Sequence, residues 1–256
     1  LKKLAIITVN LNNAIGLEKT ISSVVSQTFT DYDYFIIDGQ STDTSLEIIK
    51  YYSDKITSWV SEKDDGIYNA MNKGIKLANA EYLLFLNSGD SFAEETALSK
   101  LFNQNFTEDI IYCNLNIIGI NKFRKIIFPE KLTFYWLYTE FIGHSSTLIK
   151  NSLFKTYGNY NENNKIVSDW EFFMLVICKY QCSTRYFNYT LSNLVEGGVS
   201  NNENTKQIVE AERQLVVSTH FSAFKYDYEQ LYNFKHNSLS KKIKRALKNI
   251  KSFLLK

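Results

Sequence analysis

The sequence predicts an α/β domain built on a mostly parallel central sheet with helices on both faces. Three observations carry that expectation. Between residues 4 and 87, short apolar runs alternate with stretches whose apolar residues recur every three or four positions. Strand, helix, strand, helix in that order implies crossover connections, and hence parallel strands covered by helices. Each apolar run also closes in a polar turn. In sheets of this kind, ligands bind outside the carboxyl ends of the strands.

Each element has its own warrant. LAIITVN, residues 4–10, is the first strand, and Leu17, Ile21, Val24 and Val25 follow at helical spacing. YDYFIID is the second strand and ends at Asp38. Thr44 with Glu47 three positions on predicts a capping box that opens a helix to about Tyr52. ITSWV is a third strand, Ile67, Met71, Ile75 and Ala78 mark another helix, and EYLLFLN is a fourth strand. After residue 105 the alternation breaks. DIIYCNLNIIGINKF predicts one or two strands, and residues 134–141 are strongly aromatic. SDWEFFMLVICKY is apolar nearly all round and predicts a buried helix from near Asp169. LVEGGVSNNENT reads as a loop whose Gly197 and Gly198 suit a lid.

Composition narrows the function. The chain has 256 residues, 45% hydrophobic and 22% charged, ordinary values for a globular protein. It holds no apolar run long enough to span a membrane, and its opening LKKLAIITVN turns polar too soon for a signal peptide. Cys113, Cys178 and Cys182 fit neither a disulfide framework nor a zinc pattern, so a reducing cytoplasm is expected. Residues 241–256, KKIKRALKNIKSFLLK, carry seven basic residues and no acid, leaving 22 basic against 27 acidic in residues 1–240. A body of that sign is not built for nucleic acid. In the tail, Ile243, Leu247, Ile250, Phe253 and Leu254 recur at helical spacing opposite the cations, which predicts an amphipathic helix on an anionic membrane surface. The expected organisation is therefore one domain, 1–240, with halves 1–105 and 106–240, followed by the tail 241–256.

The strand ends read TVNLNN, DGQSTD, SEKDDG and NSGD. Acids at neighbouring strand tips suit Mg²⁺ or Mn²⁺ together with a phosphorylated ligand, because these cations prefer oxygen and take part of their shell from phosphates. The sequence contains no phosphate-loop lysine motif, no G-x-G-x-x-G and no G-x-S-x-G. His144, His220 and His236 are too scattered to propose zinc.

IITVNLNNAIGLEKTISSVVSQTF, FIIDGQSTDTSLEII, SEKDDGIYNAMNKGIKLANAEYLLFLNSGD and GHSSTLIKNSLFKTYGNYNE…VSDWEFFM resemble, in this order, the family 2 glycosyltransferases. These are inverting, nucleotide-sugar-dependent enzymes of GT-A fold, and the likeness is greatest to bacterial members that build surface polysaccharide. It covers residues 4–175. The resemblance implies that Asp38 and Gly39 meet the nucleobase while Thr8, Val9 and Asn10 line it. It implies that Asp64, Asn72 and Lys73 flank the nucleotide. Asn87, Ser88 and Asp90 stand where the family has its metal-binding D-x-D, so Mn²⁺ or Mg²⁺ would rest on Asp90 and the donor diphosphate. Asp169 becomes the catalytic base, with Ser168 capping its helix, and His144 an acceptor contact. The implied donor is UDP-linked. The implied acceptor is a hydroxyl of a glycan or lipid-linked glycan, reached from the inner face of the plasma membrane. Without the resemblance, Asp38 and Asp43 read as turn and cap residues and Asp169 as a helix-start acid. Two rivals remain at this level. One is a nucleotide-sugar-binding scaffold without catalysis. The other is a sugar-phosphate nucleotidyltransferase, whose Gly-rich, Arg-bearing loop NLNNAIGLEK does not supply.

Overall fold

The computed structural model describes residues 1–120, 122–196 and 205–237. The expected lid glycines, Gly197 and Gly198, and the basic tail 241–256 lie outside the described residues. The first half alternates as expected: β1 (Lys2–Asn10), α1 (Ala14–Val25), β2 (Tyr32–Asp38), α2 (Ser45–Tyr51), β3 (Ser58–Ser61), α3 (Ile67–Leu77) and β4 (Ala80–Phe85). Then come β5 (Ser91–Phe92), α4 (Ala97–Phe102), β6 (Ile110–Gly119), β7 (Lys122–Ile126) and α5 (Phe134–Thr139). The chain continues with β8 (Thr147–Lys150), α6 (Asn151–Tyr157), α7 (Ser168–Phe173) and β9 (Thr184–Val195). Helix α7 runs on as a π-helical stretch, Met174–Lys179. Helices α8 (Lys206–His220) and α9 (Ser222–Asn237) close the described chain.

Among the described residues one sheet takes its strands in the order β3-β2-β1-β4-β8-β6-β9-β5, with β7 paired to β6 alone. Strands β1 to β4 are parallel to one another. Beyond β4 the sheet is mixed: β8 is antiparallel to both β4 and β6, while β9 is parallel to β6. Strands from before and after residue 105 share this sheet, so the two expected halves are one structural layer.

Alternation along the strands sorts the core. Leu4, Ile6, Tyr34, Ile36, Tyr82 and Leu84 pack with Leu17, Ile21 and Val24 of α1, Ile49 of α2 and Leu98 of α4. The other face meets α3 and α6. A Cβ on Gly74 of α3 would come 2.4 Å from Ile7 Cγ2. Phe85 faces Phe154 and Tyr160 with ring centroids 6.3 and 5.4 Å away.

Two local expectations fail. Thr44 sits at the N-cap of α2 but makes no side-chain cap bond. Asp43 does that work, its carboxylate accepting the Ser45 and Ala14 N–H groups and so tying α2 to the start of α1. At α7, Val167 occupies the N-cap position and the Ser168 hydroxyl is buried without a partner among the described residues. Among the described residues a first compact unit runs Leu1–Glu212, and a second begins at Arg213 within α8. Among the described residues no helix is long and apolar enough to cross a membrane.

Candidate active site

Asp38 ends β2 and is fully buried. Its carboxylate accepts from Asn10 Nδ2 at 2.8 Å, Ser41 Oγ at 2.6 Å, Ser61 Oγ at 2.7 Å and the Ser41 N–H at 3.0 Å. Burial alone would raise its pKa, but these bonds outweigh burial and hold it below the usual carboxylate range. The group expected to meet a nucleobase thus has its bonding capacity filled from within the chain. The neighbouring Asn10 differs, because its Oδ1 is enclosed and lacks a hydrogen-bond partner among the described residues. Thr8 is buried, bonded to the Leu86 carbonyl at 2.7 Å and to Tyr34 OH at 3.0 Å, so its side chain braces the sheet. Val9 is buried too, and its carbonyl accepts the Ser88 N–H at 3.1 Å. Gly39 leaves room for Asp64, whose Oδ2 would stand 3.0 Å from a Cβ placed there.

The residues expected on and beside α3 have partners within the chain. Lys73 Nζ lies 2.7 Å from Asp64, 2.7 Å from Glu62 and 3.1 Å from the Lys63 carbonyl, which spends all its protons. It neutralises Asp64 and has none left for a diphosphate. Asn72 is buried, donates to the Tyr160 carbonyl and Glu162, and accepts the Tyr160 N–H at 3.0 Å. It fastens α3 to the segment around Tyr160.

The turn after β4 is held from α1. Thr20 Oγ1 accepts the Gly89 N–H at 2.9 Å and lies 2.7 Å from the Asp90 carbonyl, while Asn13 Nδ2 donates to the Ser88 carbonyl at 3.1 Å. Gly89 adopts φ +105°, a conformation that disfavours any side chain. The turn delivers Asp90, 8% exposed, with Oδ1 accepting the Val195 N–H at 3.1 Å. Burial dominates here and pushes its pKa up to about 6, although His144, that N–H and Lys19 pull the other way.

Asp169 lies in the first turn of α7, partly exposed, with Oδ2 3.1 Å from His144 Nδ1. Its Oδ1 accepts the Trp170 N–H at 2.9 Å and stands 2.9 Å from the Tyr68 hydroxyl, which also reaches the Ile166 carbonyl. Burial raises the carboxyl, but bonding and charge from His144 with the Tyr68 and Trp170 contacts outweigh it and lower its pKa. His144 shifts oppositely: burial depresses it, while Asp169 and the Asp90 charge carry it above its usual value. The other ring nitrogen, Nε2, is 3.2 Å from Asn87 Nδ2. Both ring nitrogens have partners inside the chain. The consequence is one connected rim: Asp38 to Asn10, Val9 to Ser88, Asn87 to His144, His144 to Asp169.

Sequence reasoning missed Tyr68, Ser41 and Ser61. Tyr68 hides among the apolar residues of α3. The serine in DGQSTD and the one closing β3 signal only a turn and a strand end.

Among the described residues no three His, Cys, Asp or Glu side chains converge on a point. A divalent cation nevertheless fits the turn after β4. Asp90 is a buried carboxylate with a single donated bond, and Asn87 Oδ1 is enclosed without a partner among the described residues. Both are hard oxygen donors, and both are short of a positive partner.

The sequence pattern of glycosyl transferase family 2 matches residues 5–179, most of this rim. The chain belongs to that family. It is 28% identical over 205 residues to a PGL/p-HBAD biosynthesis glycosyltransferase of Mycobacterium tuberculosis, covering 77% of this chain and 78% of that one. It is 30% identical over 212 residues to the poly(ribitol-phosphate) beta-N-acetylglucosaminyltransferase TarP of Staphylococcus aureus, covering 75% of this chain and 64% of that one. The crystal structure of S. aureus TarS 1-349 in complex with UDP-GlcNAc shares the fold, with TM-score 0.65 at 16% identity over 94% of this chain and 77% of that one. The protein is thus a family 2 glycosyltransferase of GT-A-like fold.

Proposed function

We propose that this family 2 glycosyltransferase moves a monosaccharide from a UDP-linked donor to a glycan hydroxyl, with inversion, in bacterial surface-glycan synthesis. One observation carries the reading. A partly exposed carboxylate, Asp169, is locked at 3.1 Å to His144 and, through it, to the turn that bears Asp90. An acceptor hydroxyl attacking the anomeric carbon forms the new C–O bond as the bond to the diphosphate breaks. The electron pair leaves with the diphosphate, and the hydroxyl proton passes to Asp169. His144 and Tyr68 orient that carboxylate, and the imidazole steadies it in either protonation state. Asn10 Oδ1, the acceptor without a partner at the β1 tip, suits a donor N–H on the base better than the saturated Asp38. Asp90 and Asn87 would hold a divalent cation, Mn²⁺ or Mg²⁺, which when bound supplies positive charge beside the leaving diphosphate.

The UDP donor is supported by the shared fold of TarS, solved with UDP-GlcNAc, and by the N-acetylglucosaminyl activity in TarP's name. The basic tail supports an acceptor met at the inner face of the plasma membrane, peripheral to it. Release of UDP from a panel of UDP-sugars, with a hydroxyl acceptor and with Mn²⁺ or a chelator, tests the reading. Acceptor-dependent release from one donor, lost on chelation, is expected. Donor binding without turnover across the panel would replace the transferase by a scaffold.

A further inference from the structure

Strand β7 pairs with β6 alone, and the β6–β7 turn and strand carry exposed side chains that no interior contact explains. Ile120 at the turn is fully exposed, and Phe123 and Ile127 are 69% and 65% exposed. Between them Lys122, Arg124 and Lys125 are exposed as well, and residues 119–127 contain no acid. None of these three cations has an ion pair among the described residues. Large apolar side chains set among unpaired cations along β7 and its turn are costly in water. They are matched by a surface that is oily below and anionic above.

The hairpin's place gives that match a purpose. Strand β8 is antiparallel to both β4 and β6, so β6 ends at the same edge of the sheet as β4 and the turn after it. Phe123 pairs with Ile118, Ile118 pairs with Val195, and the Val195 N–H holds Asp90 at 3.1 Å. One row across the sheet therefore links the exposed phenylalanine to the buried carboxylate.

We propose that the β6–β7 hairpin is a membrane-docking finger that seats this edge of the sheet on an anionic lipid bilayer, presenting the edge that bears the Asp90 turn to acceptors held in that surface. Ile120, Phe123 and Ile127 enter the acyl boundary, and Lys122, Arg124 and Lys125 pair with lipid phosphates. The finger rests on the transferase reading only for its purpose, not for its lipid contact. A soluble anionic polymer would satisfy the cations but leave the apolar tip in water. A second copy pairing along β7, an edge strand, would set like charges against each other.

The full chain carrying Phe123→Trp is mixed with vesicles of brominated phosphatidylglycerol. Quenching of the added tryptophan emission, beyond that of the unsubstituted chain, is expected, and none with phosphatidylcholine vesicles. Lys122→Gln/Arg124→Gln/Lys125→Gln in that background should lower vesicle partitioning about tenfold or more, with UDP release to a soluble acceptor unchanged. Sedimentation with the vesicles while the introduced tryptophan stays unquenched would overturn the finger and leave binding to the tail. Binding to linear polyphosphate with no vesicle association would overturn it in favour of an anionic polymer. None of these vesicle measurements requires turnover, so they stand or fall apart from the transferase reading.

Discussion

Asp38 and Asp90 are both buried aspartates at the ligand edge of the same sheet, yet they sit in opposite states. Asp38 is met by four donors and its carboxyl lies below the usual range. Asp90 has one backbone N–H, and its carboxyl is pushed up to about 6. Burial opposes ionisation at both and more strongly at Asp90, while Asp38 has four donors to set against it and Asp90 has one. The saturated carboxylate of Asp38 ties β2 to β1 and β3. An under-bonded one costs stability until something positive arrives, and such groups gather at functional sites. Asp169 lies between them, well bonded but partly exposed, which is the state a proton acceptor requires.

The largest effect belongs to Asp169. Asp169→Asn keeps the shape and removes the basic oxygen, so turnover at saturating donor should fall about 10²–10⁴-fold. Donor affinity measured by calorimetry should stay within about twofold, because the role proposed for Asp169 is on the acceptor hydroxyl. Equal losses in turnover and affinity would make it another structural acid like Asp38. Next comes Asp38 itself. Asp38→Ala strands Ser41, Ser61 and Asn10 donors in a buried site, and urea unfolding should show a loss of about 3 kcal/mol or more. Unchanged stability with donor binding abolished would return Asp38 to the role the family resemblance gave it.

Much of this contrast could be read in the sequence, and the part that could not has a common cause. The strands β1 to β4 show as apolar runs ending at Asn10, Asp38, Ser61 and Asn87, so the site's edge is visible from period alone. Whether an acid there is saturated depends on partners far along the chain. Ser61 reaches Asp38 across β3, and Val195 reaches Asp90 from β9. Asn72 and Lys73 look like an exposed helix face because nothing local announces Tyr160, Glu162 or Asp64 as their partners. Strand β5 is only Ser91–Phe92 and exists through its pairing with β9, which no window of residues 91–92 reveals. Tyr68 shows its apolar ring in the helical pattern and conceals its hydroxyl at Asp169.

The smallest effect is the sharpest test of the comparison, because its sign changes with conditions. The folded-state pKa of Asp90, about 6, lies above its ordinary value of 3.8. Asp90 therefore favours the folded state fully only below the unfolded value, and this advantage is lost as pH rises through about 6. Above that window the buried charge costs roughly 1–3 kcal/mol. Asp90→Asn removes the charge and leaves an oxygen for the Val195 N–H. In chelator-treated protein at pH 7.5 the variant should be the more stable by about that amount, and the gap should close between about pH 6 and pH 4. Mn²⁺ with UDP should then stabilise the unsubstituted chain and not the variant, since only the carboxylate gains a positive partner. Parallel stability curves across that pH range would mean Asp90 is as well supported as Asp38, and the distinction between the two carboxylates would be lost.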